Sequence, residues 1–211
     1  MKKKYIIMRN LGLSYWNNIY YNMNIFTKNR KKCTINEIWF LEHYPIFTTG
    51  QTESNNKLLY INNIPIMNAN RGGKITYHGP GQQIIYLLFN LKEMKINIKK
   101  LLYLIDQIIL STLYYFCCLG HKKFINPGIY IQNKKICSIA LRIKKIFCLH
   151  GLALNIMTNL TPFKYISPCG NNKIKMDNIS TFIKNITLYK MKNILIKKFL
   201  YFLNQNAFIY Y

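Results

Sequence analysis

The chain has 211 residues, a formal net charge of +24 and an apolar share of 50%. Its length fits one domain spanning residues 1–211 with enough chain to bury a core, and it shows neither an internal repeat nor a disordered linker. The charge is weaker evidence for function. Lys, Ile, Asn and Tyr make up about half the residues and Val is absent, a usage that an A+T-rich coding bias produces without any nucleic-acid partner. The other reading of the charge is electrostatic steering of an acidic partner.

The cysteines at positions 33, 117, 118, 137, 148 and 169 lack C-x-x-C or other metal spacing. Met1-Lys-Lys-Lys is followed by only a few apolar residues before Arg9, unlike a secretory signal. These features predict a cytoplasmic protein with reduced thiols, no metal and no membrane anchor.

A first strand is expected from Tyr5 to Met8. Ser14 is placed to cap a helix that runs to about Arg30, with Trp16, Ile19, Tyr20, Met23 and Phe26 on one side. EIWFLEH, from Glu37 to His43, reads as a buried strand stopped before Pro45, and Ile64 to Ala69 as another. Ile84 to Leu91 is almost wholly apolar, as a central strand is.

Leu101 to Leu119 imitates a membrane span, with lysine pairs on both sides. Asp106 lies inside it, and a charge there would cost roughly 3 kcal/mol in a bilayer. Leu101, Leu104, Ile105, Ile108, Ile109, Leu113 and Phe116 follow a helical stripe, so the segment reads as a core helix. After Pro127-Gly128, short strands are expected at 129–131, 135–143, 146–149 and 152–156. Pro162 and Pro168 bracket a turn or short helix, and residues 191–203 form a last amphipathic helix. The interleaving predicts an α/β (α+β) fold with a mixed sheet.

The stretch RGGKITYHGPGQQIIY, from Arg71 to Tyr86, concentrates glycines around Arg71 and His78. It lacks the lysine-serine ending of a phosphate loop, and a single RGG is not a repetitive RNA arm. A hairpin is the plain reading. The alternative is a backbone shaped so that a ligand approaches closely.

In Ser167-Pro168-Cys169-Gly170 a cysteine sits on a turn, where its sulfur can be reached. A nucleophilic thiol needs a nearby cation to lower its pKa, and Lys135, His78 and His150 are candidates. Strand alternation from Lys135 onward puts Lys135, Cys137 and Ile139 on one face, with Ile136, Ser138 and Ala140 on the other.

Together, EIWFLEHYPIFTTGQ (37–51), RGGKITYHGPGQQIIYLLFNL (71–91), PGIYI (127–131), KKICSIALRI (134–143), HGLALNI (150–156) and FKYISPCG (163–170) resemble the octanoyltransferases of protein lipoylation. The resemblance covers most of residues 5–180. It implies the fold of biotin and lipoate protein ligases: a mixed sheet with flanking helices and a smaller sheet. It implies transfer of an octanoyl group from octanoyl-acyl carrier protein to a lysine of lipoyl domains, those of 2-oxoacid dehydrogenase E2 subunits and of the glycine cleavage H protein. No cofactor is implied. Carried over by motif, Cys169 is the acyl-thioester nucleophile and Lys135 its partner. Arg71, Gly72, Gly73, Lys74, Ile75, Thr76, Tyr77, His78, Ser138, Ile139, Ala140, Gly151, Leu152 and Ala153 line the substrate site. Two positions depart from the family: it commonly has glycine where Ala140 stands and threonine where Asp177 stands. Rival readings are an ATP-dependent lipoate or biotin ligase on the same scaffold, a basic nucleic-acid-binding module, and a Cys–His hydrolase.

Overall fold

A computed structural model of the chain describes residues 5–53, 59–123, 125–204 and 206–210. Strand β1 (Tyr5–Ser14) runs into helix α1 (Trp16–Lys28). Strands β2 (Asn36–His43), β3 (Ile46–Thr49), β4 (Tyr60–Ile61), β5 (Ile64–Asn68), β6 (Thr76–His78) and β7 (Gln82–Asn90) follow. Helices α2 (Leu91–Met94) and α3 (Ile98–Tyr115) lead to β8 (His121–Lys123), β9 (Gly128–Ile131), β10 (Lys134–Lys144) and β11 (Phe147–Asn155). Helix α4 (Leu188–Leu203) and β12 (Asn206–Tyr210) complete the order.

Eight strands form one sheet in the order β12-β1-β2-β7-β11-β10-β9-β8, and four form a second in the order β4-β5-β3-β6. The large sheet is parallel across β12, β1 and β2 and antiparallel from β2 onward. The mixed sheet is the one that the interleaving of strands and helices predicts, and the smaller sheet is the one that the family resemblance implies. Residues of α3 and α4, among them Leu101, Ile105, Ile108, Met191 and Leu195, pack with Ile38, Phe40, Ile85, Leu87 and Phe89 on one face of the large sheet. On the other face, Ile19 and Met23 of α1 pack with Trp39, Leu41, Ile84, Tyr86 and Leu88. Strand β7 is therefore covered on both faces, which is why its sequence is a continuous apolar run.

Three expectations are corrected. Ser14 does not cap α1: it ends β1, its hydroxyl donates to the Leu11 carbonyl at 2.9 Å, and Tyr15 holds the cap position without a side-chain bond. The two strands expected at 146–149 and 152–156 are one strand, β11. His150 takes φ +60° in its middle, yet pairing with β10 runs through it from Leu141–His150 to Ala140–Gly151. Finally, simple alternation fails at the start of β10. Lys135 pairs with Tyr130 and Cys137 with Ile129, so two steps on β10 match one on β9. That bulge shifts the parity of the strand and puts Lys135 on the same side as Ser138 and Ala140.

Helix α3 begins earlier than expected, where the Asn97 side chain accepts from the Lys100 amide at 2.9 Å. Asp106 within it faces Lys122 at 3.5 Å. Among the described residues, no helix is long and apolar enough to cross a membrane.

Candidate active site

A cavity of about 250 Å³ lies on the α1 side of the large sheet. Its floor is built by two rows of residues that run across adjacent strands. One row is Ser138, Ala153 and Ile84; the other is Ala140, Gly151 and Tyr86, each contributed by β10, β11 and β7 in turn. Ile139 and Leu152 also line the cavity, although their side chains join the core on the helical face. Further walls come from Arg71, Gly73, Lys74, Ile75, Thr76 and His78 of the glycine-rich loop, and from Lys135, Asn126, Pro127 and Pro168, with Trp16, Thr48, Ala69 and His150 completing the lining.

Two residues expected at the site stand elsewhere. Gly72 does not line the cavity; its amide donates to the Leu141 carbonyl at 3.2 Å and ties the loop to β10. Tyr77 is turned into the small sheet's own core, against Phe47 and Phe163. Burial raises its phenol pKa.

Arg71 holds the loop in shape. It is buried, and its guanidinium donates to the Thr48 carbonyl at 2.5 Å and to the carbonyls of Gly72 and Lys74 at 2.9 Å. It also reaches the Thr48 hydroxyl at 2.9 Å. That hydroxyl turns its own proton toward Nε2 of His78, 3.3 Å away, while Nδ1 of His78 donates to Gln82 Oε1 at 2.7 Å. Burial, reinforced by His43, takes the His78 pKa down to about 3. His43 donates from Nδ1 to the Ser14 carbonyl and accepts at Nε2 from the Tyr86 hydroxyl at 2.9 Å, and burial lowers its pKa to about 4. His150 donates to Asn70 Oδ1 at 2.5 Å, and burial with Arg71 nearby takes it to about 3. All three imidazoles are neutral at pH 7 and serve as hydrogen-bonding struts, not as proton acceptors.

Lys135 is fully buried, with its ammonium donating to the Pro127 carbonyl at 2.8 Å and lying 5.8 Å from the Tyr130 ring centroid. The Pro127-Gly128 pair makes this possible. A Cβ on Gly128 would meet Cε of Lys135 at 2.5 Å and would overlap the Cys137 carbonyl, so only glycine leaves the lysine its channel. The segment after Cys169 is bonded to the same lysine's backbone: the Lys135 amide donates to Lys175 O at 2.8 Å, and the Asp177 amide donates to Lys135 O at 3.0 Å.

Cys169 lies in a turn of 3₁₀ helix, Pro168–Gly170. Its side chain lies outside the described residues, while its neighbour Pro168 lines the cavity. On the other side of it, Gly170 takes φ +69°, and a Cβ there would collide with the Lys74 side chain, which lies across that turn. Among other cysteines, Cys137 and Cys148 are held inert by burial, which pushes their thiols up to about 12.

Several lining residues carry no readable signal of a site. Trp16 reads only as a helix face, while Pro127, Ile84 and Tyr86 fall within the motifs of the family resemblance but read there as a breaker and a central strand, not as site residues. Thr48 and Ala69 are brought in by the small sheet's folding.

Residues 14–200 match the model of the lipoyl protein ligase A/B catalytic domain. An octanoyltransferase of Buchnera aphidicola subsp. Acyrthosiphon pisum is 51% identical over 203 residues, covering 96% of each chain. One from Escherichia coli is 40% identical over 205 residues, covering 97% of this chain and 96% of its own. Among solved structures, a lipoate-protein ligase A bound with ATP superimposes with a TM-score of 0.79 at 14% identity, covering 98% of this chain and 88% of that one.

Proposed function

We propose, from the premise that the chain belongs to the lipoyl protein ligase A/B catalytic family and is an acyltransferase of the octanoyltransferase kind, that it carries an octanoyl group from octanoyl-acyl carrier protein to lysines of lipoyl domains through a thioester on Cys169. One observation carries the reading. Lys135 and Pro168, the residue next to Cys169, line a single cavity whose far side is apolar.

The Cys169 thiolate attacks the carbonyl carbon of the donor thioester. A carbon–sulfur bond forms, the carbonyl electrons move onto oxygen, and they return as the carrier's sulfur leaves and takes a proton. This exchange of one thioester for another is close to neutral in energy. The amine of the acceptor lysine then attacks the Cys169 thioester. The amide forms, the Cys169 sulfur leaves as thiolate, and the amine gives up a proton. The ammonium of Lys135, held by Pro127, favours the thiolate in both directions, and it is the proton carrier between the carrier thiol and the acceptor amine. His43, His78 and His150 suit that role poorly: burial takes them down to about 4, 3 and 3, which makes them weak bases at neutral pH, and their ring nitrogens are engaged with Ser14, Tyr86, Thr48, Gln82 and Asn70. Apolar lining recognises the chain, with each buried methylene contributing about 0.8 kcal/mol. The Lys74 side chain lies across the turn of Cys169, and this reading assigns backbone amides of that turn or of the glycine-rich loop as the donors for the oxyanion. The lipoyl domains of 2-oxoacid dehydrogenase E2 subunits and the glycine cleavage H protein are the acceptors this reading assigns.

Intact-mass measurement after mixing with octanoyl-acyl carrier protein tests it. The expected result is one octanoyl adduct that is lost in Cys169→Ser and discharged onto a lipoyl domain. No adduct with a competent donor, or modification that requires ATP and survives Cys169→Ser, replaces it with the ligase reaction.

A further inference from the structure

The two rows that floor the cavity change size at the same strand. Ser138 and Ala153, and beside them Ala140 and Gly151, are small; their cross-strand partners on β7 are Ile84 and Tyr86. The rows continue onto β2 as Leu41 and Trp39, and there α1 covers the sheet with Ile19, Met23 and Phe26. Open floor therefore spans β10 and β11 and stops at β7. From β10 to β7 is two strand spacings, about 10 Å.

The wall at β7 is fixed. The Tyr86 hydroxyl is buried and donates to His43 Nε2 at 2.9 Å, and that ring is itself tied to the Ser14 carbonyl at 3.1 Å. Tyr86 also stands edge-on to His150, with ring centroids 5.9 Å apart. Swinging it aside would leave a buried hydroxyl and Nε2 of a buried imidazole unpaired. Trp16, the first residue of α1, closes the same end beside Ala69 and stacks on Tyr20 at 4.4 Å between centroids. Lys135, Pro127 and Pro168 lie at the opposite side, around β9 and β10.

We infer that Ile84, Tyr86 and Trp16 are the end wall of the acyl site and set the longest chain the enzyme accepts, while Ala153 and Ala140 set the depth of the groove leading to it. This rests on the reading of the cavity as the acyl site. A chain bound from the Lys135 side meets small residues over two strands and then three large ones, with Tyr86 held in place by its bond to His43. Discrimination is consequently steep against longer chains and shallow against shorter ones, which lose only the contacts of the missing methylenes.

The test is the rate of adduct formation on the enzyme with hexanoyl, octanoyl, decanoyl and dodecanoyl thioesters of the carrier protein. Ile84→Ala and Trp16→Leu are expected to raise the decanoyl-to-octanoyl rate ratio by about tenfold, the worth of two buried methylenes. Ala153→Leu is expected to move preference the other way, toward hexanoyl, by a similar factor. Thermal unfolding of each variant separates selectivity from loss of fold. Should the wall variants fail to fold, Ala153→Val adds bulk only to the floor and must still lower the octanoyl-to-hexanoyl ratio. Length profiles that stay parallel to wild type, in folded variants, overturn the end-wall assignment. Absence of any adduct in the wild type overturns instead the thioester reading on which it rests.

Discussion

The backbone carbonyl of Lys135 accepts from the amide of Asp177 at 3.0 Å, so the strand that carries the buried lysine and the segment that follows Cys169 are one piece of β-structure. The carboxylate of Asp177 secures the joint. It pairs with Lys134 at 2.7 Å and accepts from the Thr181 hydroxyl and the Asn178 amide, both at 2.8 Å.

Asp177→Ala should therefore destabilise the fold by about 2 kcal/mol, the scale of hydrogen bonds to a charged group. Burial alone would raise the Asp177 pKa, but the bonds from Lys134, Thr181 and Asn178 outweigh it and hold the carboxyl below its ordinary 3.8. A depressed carboxyl stabilises the folded state above its unfolded pKa and ceases to do so as pH falls through the folded value. The stability gap between wild type and Asp177→Ala should be full at neutral pH and close below about pH 4. Urea unfolding at several pH values reads both.

The channel of Lys135 gives a second prediction. Gly128→Ala puts a methyl where Cε of Lys135 lies and against the Cys137 carbonyl. It should displace the ammonium and slow alkylation of Cys169 by iodoacetamide near neutral pH, and Lys135→Ala should do the same. The expected factor is about ten for each unit by which the thiol pKa rises. Peptide mass spectrometry separates Cys169 from the exposed Cys33 and Cys117. An unchanged rate in both variants would remove Lys135 from thiol activation.

How far the sequence reaches depends on the kind of signal. The apolar run of β7 and the stripe of α3 are legible because burial on two faces, or on one, imposes its own period on side chains. Ser14 misleads because a serine before an apolar stripe is equally suited to ending a strand, and its hydroxyl finds Leu11 before it finds the helix. The bulge at Lys135 has no sequence mark; it exists because β9 offers Ile129 and Tyr130 to three residues of β10. Without it, Lys135 would face the helical core and not the cavity. The loop motif points to the right region, but Arg71 proves to brace the backbone through Thr48 instead of reaching outward. Trp16 and Tyr86 are invisible as site residues because they come together only when α1 folds across the sheet.

The buried histidines make stability fall with acid. His78 and His150 are lowered to about 3 and His43 to about 4, mainly by burial. Above about pH 7.5 each is neutral both folded and unfolded and contributes no pH dependence. As pH falls from there toward 3, the unfolded chain binds protons that the folded one refuses, so stability declines by up to about 1.4 kcal/mol per pH unit for each histidine. His150→Gln keeps a donor for Asn70 and removes one titrating group. Its stability should decline less steeply than wild type over that window, and an identical slope would mean that His150 is protonated in the fold.

Three glycines separate a structural from a pocket role. A Cβ on Gly151 would overlap the Ile85 carbonyl oxygen and come within 3.2 Å of Tyr86 Cα, so β11 could not keep its pairing with β7. Backbone cannot yield as a side-chain tip does, and Gly151→Ala should cost about 3 kcal/mol, with all acyl lengths losing activity together. A Cβ on Gly72 would lie 3.3 Å from the Leu141 carbonyl, a contact that a small shift relieves, and its backbone is not left-handed. Gly72→Ala should stay within about 0.5 kcal/mol of wild type. Gly73 is at φ +81° and lines the cavity, so Gly73→Ala should cost about 1–2 kcal/mol from the left-handed backbone alone. The order of unfolding midpoints, Gly72→Ala above Gly73→Ala above Gly151→Ala, checks this. A Gly151→Ala protein as stable as wild type would mean that β7 and β11 do not approach this closely, and would take the floor of the cavity with it.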